Sequence, residues 1–338
     1  MTDSDRDRYS RQILFPGIGP LGQERLLAAS VAVVGCGALG AFHAGALARA
    51  GVGRILLIDR DFVETSNLQR QWLYEESDAR DALPKAIAAA RAVARINSSI
   101  RAEPLVEDLT PANIDELLEG ATLILDGADN FETRYLLNDW AVDRSVPWIY
   151  GGAVGSYGLS MPVIPGRTAC FECVYPEPPS GAQPTCETAG VVNTITALVA
   201  SWQVSLALRI LTGASVEPRI TTFDVWTGDV RHVSMPPPHP ACPACALHSC
   251  RHLHGADRVP ISLCGRNAVQ IHDRRRPLDL AALAATLAPL GGVRFNGFAL
   301  RFTIPPHELT VFPDGRAIIK GTQDPALARS LYSRYIGN

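Results

Sequence analysis

Residues 31–61 read VAVVGCGALGAFHAGALARAGVGRILLIDRD, an unbroken strand–turn–helix–strand unit. Val31-Ala32-Val33-Val34 is a short apolar run, and Gly35-Cys36-Gly37-Ala38-Leu39-Gly40 is a GxGxxG turn. Residues 41–50 show the small, apolar face of a packed helix, and residues 54–59 read as a second strand ending in Asp59. Glycines let the chain turn tightly and bring backbone N–H groups up to phosphate, while the following helix N-terminus favours an anion. An acid closing the second strand accepts hydrogen bonds from ribose hydroxyls. The unit predicts a nucleotide site. It leaves open which nucleotide is bound and what is done with it.

The same alternation continues downstream. Residues 85–97 have Ala-rich helical spacing, residues 100–109 read as extended, and residues 111–119 as a helix capped by Thr110. Residues 122–125 form a buried strand ending in Asp126-Gly127-Ala128-Asp129-Asn130, followed by a helix at 132–144 and a strand at 148–150. Strands alternating with helices of this length predict an α/β, Rossmann-like, doubly wound and mostly parallel sheet. Ligands sit at the carboxyl ends of such strands, so Asp59 and Asp129 are expected to share a pocket. Residues 155–164 and 219–234 read as antiparallel strands extending that sheet.

The apolar stretch 190–211 is interrupted by Asn193, Thr194, Thr196, Ser201, Gln203 and Arg209. A membrane span needs about 20 nearly uninterrupted apolar residues, so a buried helix is expected. Beyond Cys250 the texture changes to a small α+β domain. It has a helix at 278–290, a strand at 298–304, a hairpin of 309–312 with 317–320 about Pro313-Asp314-Gly315, and a final helix at 324–335. The expected division is residues 1–250 and 251–338.

With 338 residues, 47% of them hydrophobic, the chain has ample material for such cores. A net charge of −3 gives no electrostatic case for nucleic acid. Arg274-Arg275-Arg276, between Asp273 and Asp279, reads as solvated surface. The polar start MTDSDRDRYSRQ has neither a secretory nor a transit pattern, so a cytoplasmic protein without membrane attachment is expected. Eight cysteines in such a chain do not suggest a disulfide framework. Four fall into two CxxC pairs, Cys170/Cys173 and Cys242/Cys245, the spacing that brings two thiolates onto one ion. They predict a closed structural zinc site clipping two distant segments together. His239, His248, His252 and His254 crowd the second pair, which leaves a substituted ligand open beside the simpler reading of a polar loop.

A nicotinamide oxidoreductase would account for the glycine turn and Asp59. It would not account for the dense polar run from Asp59 to Gln71, DRDFVETSNLQRQ. That run has the pattern DxDxVxxSNLxRQ. Taken with Arg8-Tyr9-Ser10-Arg11-Gln12, Lys85 and Asp126-Gly127-Ala128-Asp129-Asn130 with Arg134, it resembles the MoeB/ThiF family of ubiquitin-activating-like adenylyltransferases. The resemblance covers residues 8–245 in order, both CxxC pairs included.

It implies ATP-dependent adenylation of the C-terminal glycine carboxylate of a ubiquitin-like sulfur carrier (ThiS/MoaD-like), releasing pyrophosphate ahead of thiocarboxylate formation. By the same resemblance Gly35, Gly37, Ala38 and Gly40 cradle phosphate, Asp59 holds ribose, and Asn67, Arg70 and Lys85 contact phosphates. Asp129 would coordinate Mg²⁺, Asp61 and Asn130 belong to the nucleotide site, and Gln71 and Arg134 are supporting polar groups. Arg134 is equally open to pairing with Asp129 or Glu132 at its helix start.

Arg11 resembles an arginine that reaches the partner's triphosphate across a homodimer interface. Cys186 aligns with a family cysteine that forms an acyl thioester or persulfide with the carrier, the sulfur coming from a cysteine desulfurase or rhodanese. Ala38 stands where the family commonly has glycine, a change a negative φ tolerates. The C-terminal unit lies outside the resemblance. Leu263-Cys264-Gly265-Arg266-Asn267 is its one candidate cysteine loop, and its separate texture suggests docking of carrier or sulfur donor. A nicotinamide oxidoreductase and a non-catalytic scaffold for a ubiquitin-like partner are the alternatives.

Overall fold

The computed structural model describes residues 1–177, 188–254, 262–263, 268–271 and 278–337. The chain divides into two compact units, Met1–Pro179 with Ala189–Asp257, and Arg258–Asn338 with Ser180–Thr188.

In the first unit, helix α1 (Gly19–Ala28) leads into β1 (Ser30–Val34), α2 (Ala38–Ala50), β2 (Arg54–Ile58), α3 (Lys85–Ile96) and β3 (Arg101–Leu105). Then come β4 (Leu123–Asp126), α4 (Phe131–Arg144), β5 (Trp148–Val154), β6 (Tyr157–Val163), α5 (Asn193–Thr212), β7 (Arg219–Asp224) and β8 (Asp229–Ser234). The strands form one sheet in the order β3-β2-β1-β4-β5-β6-β7-β8. The first five are parallel and the last three antiparallel, the extension expected from the sequence.

Strand alternation sorts the core into two layers. Ala32, Val34, Leu56, Ile58 and Ile124 pack on one face, while Val31, Val33, Ile55, Leu57, Leu123 and Leu125 pack on the other. Both faces are covered, so these strands read as continuous apolar runs. Helix α5 is long and apolar enough, by length and composition, to cross a membrane. Its Ile195, Val199, Ala200, Val204 and Ala207 are instead buried, and it lies against α2, β5 and β6. The apolar stretch is a core helix, as expected.

Register is what builds the site. Val34 pairs with Ile58 of β2 and with Asp126 of β4, so the three strands end in one row. Gly35, Asp59 and Gly127 therefore leave the sheet along the same edge. The chain runs from β1 outward to β2 and β3, then crosses to β4 and β5, which opens a crevice between β1 and β4.

Two local expectations need correction. Helix α2 starts at Ala38, directly from the glycine turn, rather than at residue 41. The helix expected at 111–119 is only the turn Ile114–Leu117, capped by Asn113 without a side-chain bond. Thr110 does not cap it: its N–H and hydroxyl both donate to Asn113 Oδ1, at 2.8 and 2.9 Å.

The second unit is a six-stranded antiparallel sheet of β9 (Ser262–Leu263), β10 (Ala268–Ile271), β11 (Gly292–Phe295), β12 (Leu300–Ile304), β13 (His307–Val311) and β14 (Ala317–Lys320). The order is β11-β12-β13-β14-β10-β9. Helices α6 (Leu280–Leu287) and α7 (Pro325–Tyr335) contribute Leu280, Leu287, Leu331 and Tyr332 to a core with Leu300, Phe302, Leu309 and Val311. Asp279 and Asp324 cap the two helices by accepting backbone N–H bonds. Strands β9, β10 and β11 were not anticipated from the sequence. Cys264 lies outside the described residues.

Candidate active site

The glycine turn is a place where backbone meets backbone. Gly35 has φ +85°, and a Cβ there would lie 2.5 Å from Gly127 O. A Cβ on Gly127 or Gly40 would collide with Gly35 O in turn. Glycine is required at Gly35 and Gly127 for the β1 and β4 ends to touch, and at Gly40 for the helix to start against Gly35 O. Gly37 is the N-cap of α2, and Ala38 opens that helix without a positive φ, so its departure from glycine costs no strain.

Asp59 braces the turn. Its Oδ2 accepts the Cys36 N–H at 2.7 Å and its Oδ1 the Asp61 N–H at 2.6 Å. Burial pushes the Asp59 carboxyl above its ordinary range, opposed by the charge of Lys85. Lys85 starts α3. Its N–H donates to Asp61 O at 2.8 Å and its ammonium lies 3.3 Å from Asp61 Oδ2. Tyr74, which the sequence did not single out, is buried and donates to Cys36 O at 2.7 Å, with Lys85 O at 3.2 Å. It joins the glycine turn to the start of the lysine helix.

The polar run after Asp61 folds into a short 3-10 turn, Thr65–Asn67. Buried Asn67 accepts the Glu64 N–H through Oδ1 at 3.1 Å. Gln71 is buried, bonded to Asn67 O through its backbone N–H at 2.9 Å. Its Oε1 has no partner among the described residues. Half-buried Arg70 donates to Ser66 O at 3.0 Å.

Across the crevice, the loop after β4 is built on Asp126. This carboxylate is fully buried, accepts the Ala128 N–H at 2.8 Å and lies 3.0 Å from Arg134 Nε. Arg134 Nη2 also donates to Ala128 O at 2.8 Å and Gly151 O at 3.2 Å, and its guanidinium lies over the Phe131 and Tyr150 rings. The ion pair of Arg134 is thus made with Asp126 rather than with Asp129 or Glu132. Burial raises the Asp126 carboxyl and the guanidinium opposes it. Asn130 caps α4, its Oδ1 accepting the Thr133 N–H at 2.8 Å, and its Nδ2 donates to Asp129 Oδ1 at 3.2 Å. Asp129 is left exposed at the crevice edge.

One of the expected site residues, Arg11, is not gathered here. Arg11 is exposed in the short helix Ser10–Ile13. Its neighbour Gln12 donates to Ala50 O at 2.9 Å, at the C-terminal end of α2. At about 1.5 Å rise per residue, α2 separates that end from the glycine turn by roughly 20 Å. Cys186 lies outside the described residues.

The four paired cysteines do converge. The sulfurs of Cys170, Cys173, Cys242 and Cys245 all lie within 4.8 Å of one another, with Cys170–Cys173 at 3.7 Å and Cys170–Cys242 and Cys173–Cys245 at 3.5 Å. Tetrahedral zinc with Zn–S of about 2.3 Å places its sulfurs roughly 3.8 Å apart, so the set fits a structural zinc. No histidine belongs to this cluster among the described residues. His239 offers its backbone N–H to Cys173 Sγ at 3.3 Å, and His252 stacks on Tyr135.

A doubly wound sheet with this glycine turn, acid-lined crevice and four-thiol clip defines an α/β nucleotide-binding protein of the ubiquitin-activating type. The chain belongs to the ThiF family, which matches residues 9–244. The sulfur carrier protein ThiS adenylyltransferase of Bacillus subtilis (strain 168) is 44% identical over 336 residues, 98% of this chain and 99% of that protein. That match runs through the C-terminal unit, which the motifs alone had left out. The SAMP-activating enzyme E1 of Haloferax volcanii is 36% identical over 243 residues, 71% of this chain and 88% of its own. Among solved structures, E. coli MccB with AMPCPP and selenomethionine MccA matches at TM-score 0.62 and 25% identity, covering 71% of this chain and 74% of that one. Neither the nicotinamide nor the scaffold alternative finds support in these matches.

Proposed function

We propose that this protein uses ATP to adenylate the C-terminal carboxylate of a ubiquitin-like sulfur carrier protein. One observation carries this reading. The glycine turn, Asp59 and the Asp126–Asp129 loop leave the sheet along one edge with Lys85 beside them, in a chain that matches a carrier adenylyltransferase end to end.

A carboxylate is a weak nucleophile, and its target phosphorus sits in an anionic triphosphate. As its oxygen bonds to the α-phosphorus, the α–β anhydride bond breaks and pyrophosphate leaves, so cations must offset the growing charge. Lys85 and Arg70 supply fixed charge, and the Lys85–Asp61 pair holds the ammonium ready at the turn. Asp129, an exposed carboxylate at the crevice edge, is the hard oxygen donor that Mg²⁺ takes and would hold the ion, which would supply further charge neutralisation at the phosphates. Each Asp59 oxygen has a second lone pair for a ribose hydroxyl. Gln71 Oε1 is the kind of buried acceptor that a nucleotide donor satisfies. The test is carrier-dependent exchange of labelled pyrophosphate into ATP. Asp129→Ala abolishes it, and exchange at the wild-type rate in that variant overturns the assignment.

Cys186 is assigned the next step. Its thiolate attacks the acyl carbonyl of the adenylate, AMP leaves, and a carrier–Cys186 thioester remains; the persulfide of a cysteine desulfurase or rhodanese then attacks that carbonyl, Cys186 leaves as thiolate, and a donor thiol reduces the resulting acyl disulfide to the thiocarboxylate. Intact-mass measurement with ATP and carrier shows a thiol-labile adduct that Cys186→Ser removes while exchange persists. An adduct retained in that variant rules Cys186 out.

A further inference from the structure

Behind the crevice, one buried amide fastens together the elements that form it. Gln203, in α5, is 0% exposed. Its Nε2 donates to Asp126 O and to Ile149 O, both at 3.0 Å, and its Oε1 lies 2.9 Å from His43 Nε2. Asp126 is the last residue of β4, and Leu125↔Ile149 is the last pair between β4 and β5. His43 sits in the second turn of α2, the helix that the glycine turn begins. A single side chain therefore ties β4, β5 and α2 where β4 and β5 part. Both donor hydrogens of the amide are used.

Two features show that the surroundings are arranged around this amide. Gly151 lacks the left-handed φ that would require glycine, yet a Cβ there would collide with the Gln203 amide, so its role is to leave room. His43 is fully buried, and its Nδ1 has no partner among the described residues. Gln203 Oε1 only accepts, so His43 carries a proton on Nε2, and burial holds the ring neutral by lowering its pKa to about 4, which leaves Nδ1 a bare acceptor. Burying that orphan has a cost, which the Nε2 bond to Gln203 offsets.

We propose that Gln203 is a positioning residue for the adenylation reaction, setting the Asp126–Asp129 loop against the glycine turn. The inference rests on Asp129 as the magnesium ligand. Gln203 holds the Asp126 carbonyl from beneath, Arg134 holds the Asp126 carboxylate and Ala128 O from the side, and Asp129 is the next residue. Losing the support beneath loosens the carboxylate, while the Asp59 bond to Cys36 N–H that braces the glycine turn stays in place.

The experiment compares wild type with Gln203→Met and Gly151→Ala in the full chain by two Mg²⁺ titrations, one of carrier-dependent pyrophosphate exchange and one of the rise in melting temperature that a non-hydrolysable ATP analogue gives. The first variant removes the donors at similar volume, and the second keeps the amide but displaces it. Both raise the half-saturating Mg²⁺ concentration roughly tenfold to a hundredfold. The KM for ATP at saturating Mg²⁺ stays within about twofold. A merely structural role would lower the rate equally at every Mg²⁺ concentration. Unshifted midpoints in the folded variants overturn the proposal, and if Gln203→Met does not fold, Gly151→Ala decides alone. Asp129→Asn separates the two ideas. If it abolishes exchange while the midpoints stay put, only the Gln203 role falls; if it exchanges like wild type, the magnesium assignment falls and takes this proposal with it.

Discussion

Arg134 shows how one residue's meaning depends on its partner. Beside Asp129 or Glu132 it would have been a surface ion pair worth little. Against Asp126 it is 7% exposed and makes three bonds, to the Asp126 carboxylate, Ala128 O and Gly151 O. Arg134→Ala leaves a buried carboxylate unpaired, and chemical denaturation is expected to register a loss of about 3–5 kcal/mol. Arg134→Lys recovers only part of this, because an ammonium cannot serve three acceptors in a planar fork. A loss below about 1 kcal/mol would place the pair among surface interactions. Asp59 carries a similar lesson. Its place at a strand end was legible, but its hold on the Cys36 and Asp61 N–H groups follows only from the turn's final shape.

At the scale of elements, the four-thiol clip and α4 act together. The Asn138 Oδ1 on α4 accepts the Phe171 N–H at 2.8 Å, inside the first CxxC, and Asp139 Oδ2 accepts the His252 N–H at 2.8 Å, just past the second. The same helix begins at Asn130 and Arg134 beside the crevice. Cys242→Ser is expected to release one zinc per chain and lower the melting temperature by on the order of 10 °C. Zinc retained at full stoichiometry on chelation and mutation would refute the four-thiolate assignment. CxxC spacing made the ligands legible, since two thiols in one turn share an ion whatever the fold. The helix they anchor was not legible, because those contacts join residues 33 and 113 positions apart.

At the scale of the molecule, Arg11 is the outlier. Its helix is docked at the end of α2 remote from the glycine turn, so its expected contact with triphosphate requires a second copy. Mixing inactive Arg11→Ala and Asp129→Ala proteins then creates heterodimers with one intact site each, and exchange returns to about a quarter of wild type after random reassortment. No recovery, or a monomer by sedimentation, would refute action across an interface. By itself the sequence determined what is local: the glycine turn, the strand–helix alternation, the acids at strand ends and the two CxxC pairs. Those signals lie within a few residues of chain and depend on backbone geometry and period alone. Only the tertiary structure decided that Val34, Ile58 and Asp126 end in one row and that Arg134 turns to Asp126. It also brought Gln203 to His43 and Asp126, residues 160 and 77 positions away. Such partners are chosen by burial, where a polar group must find whatever donor or acceptor packing brings within reach, and no local pattern encodes that choice.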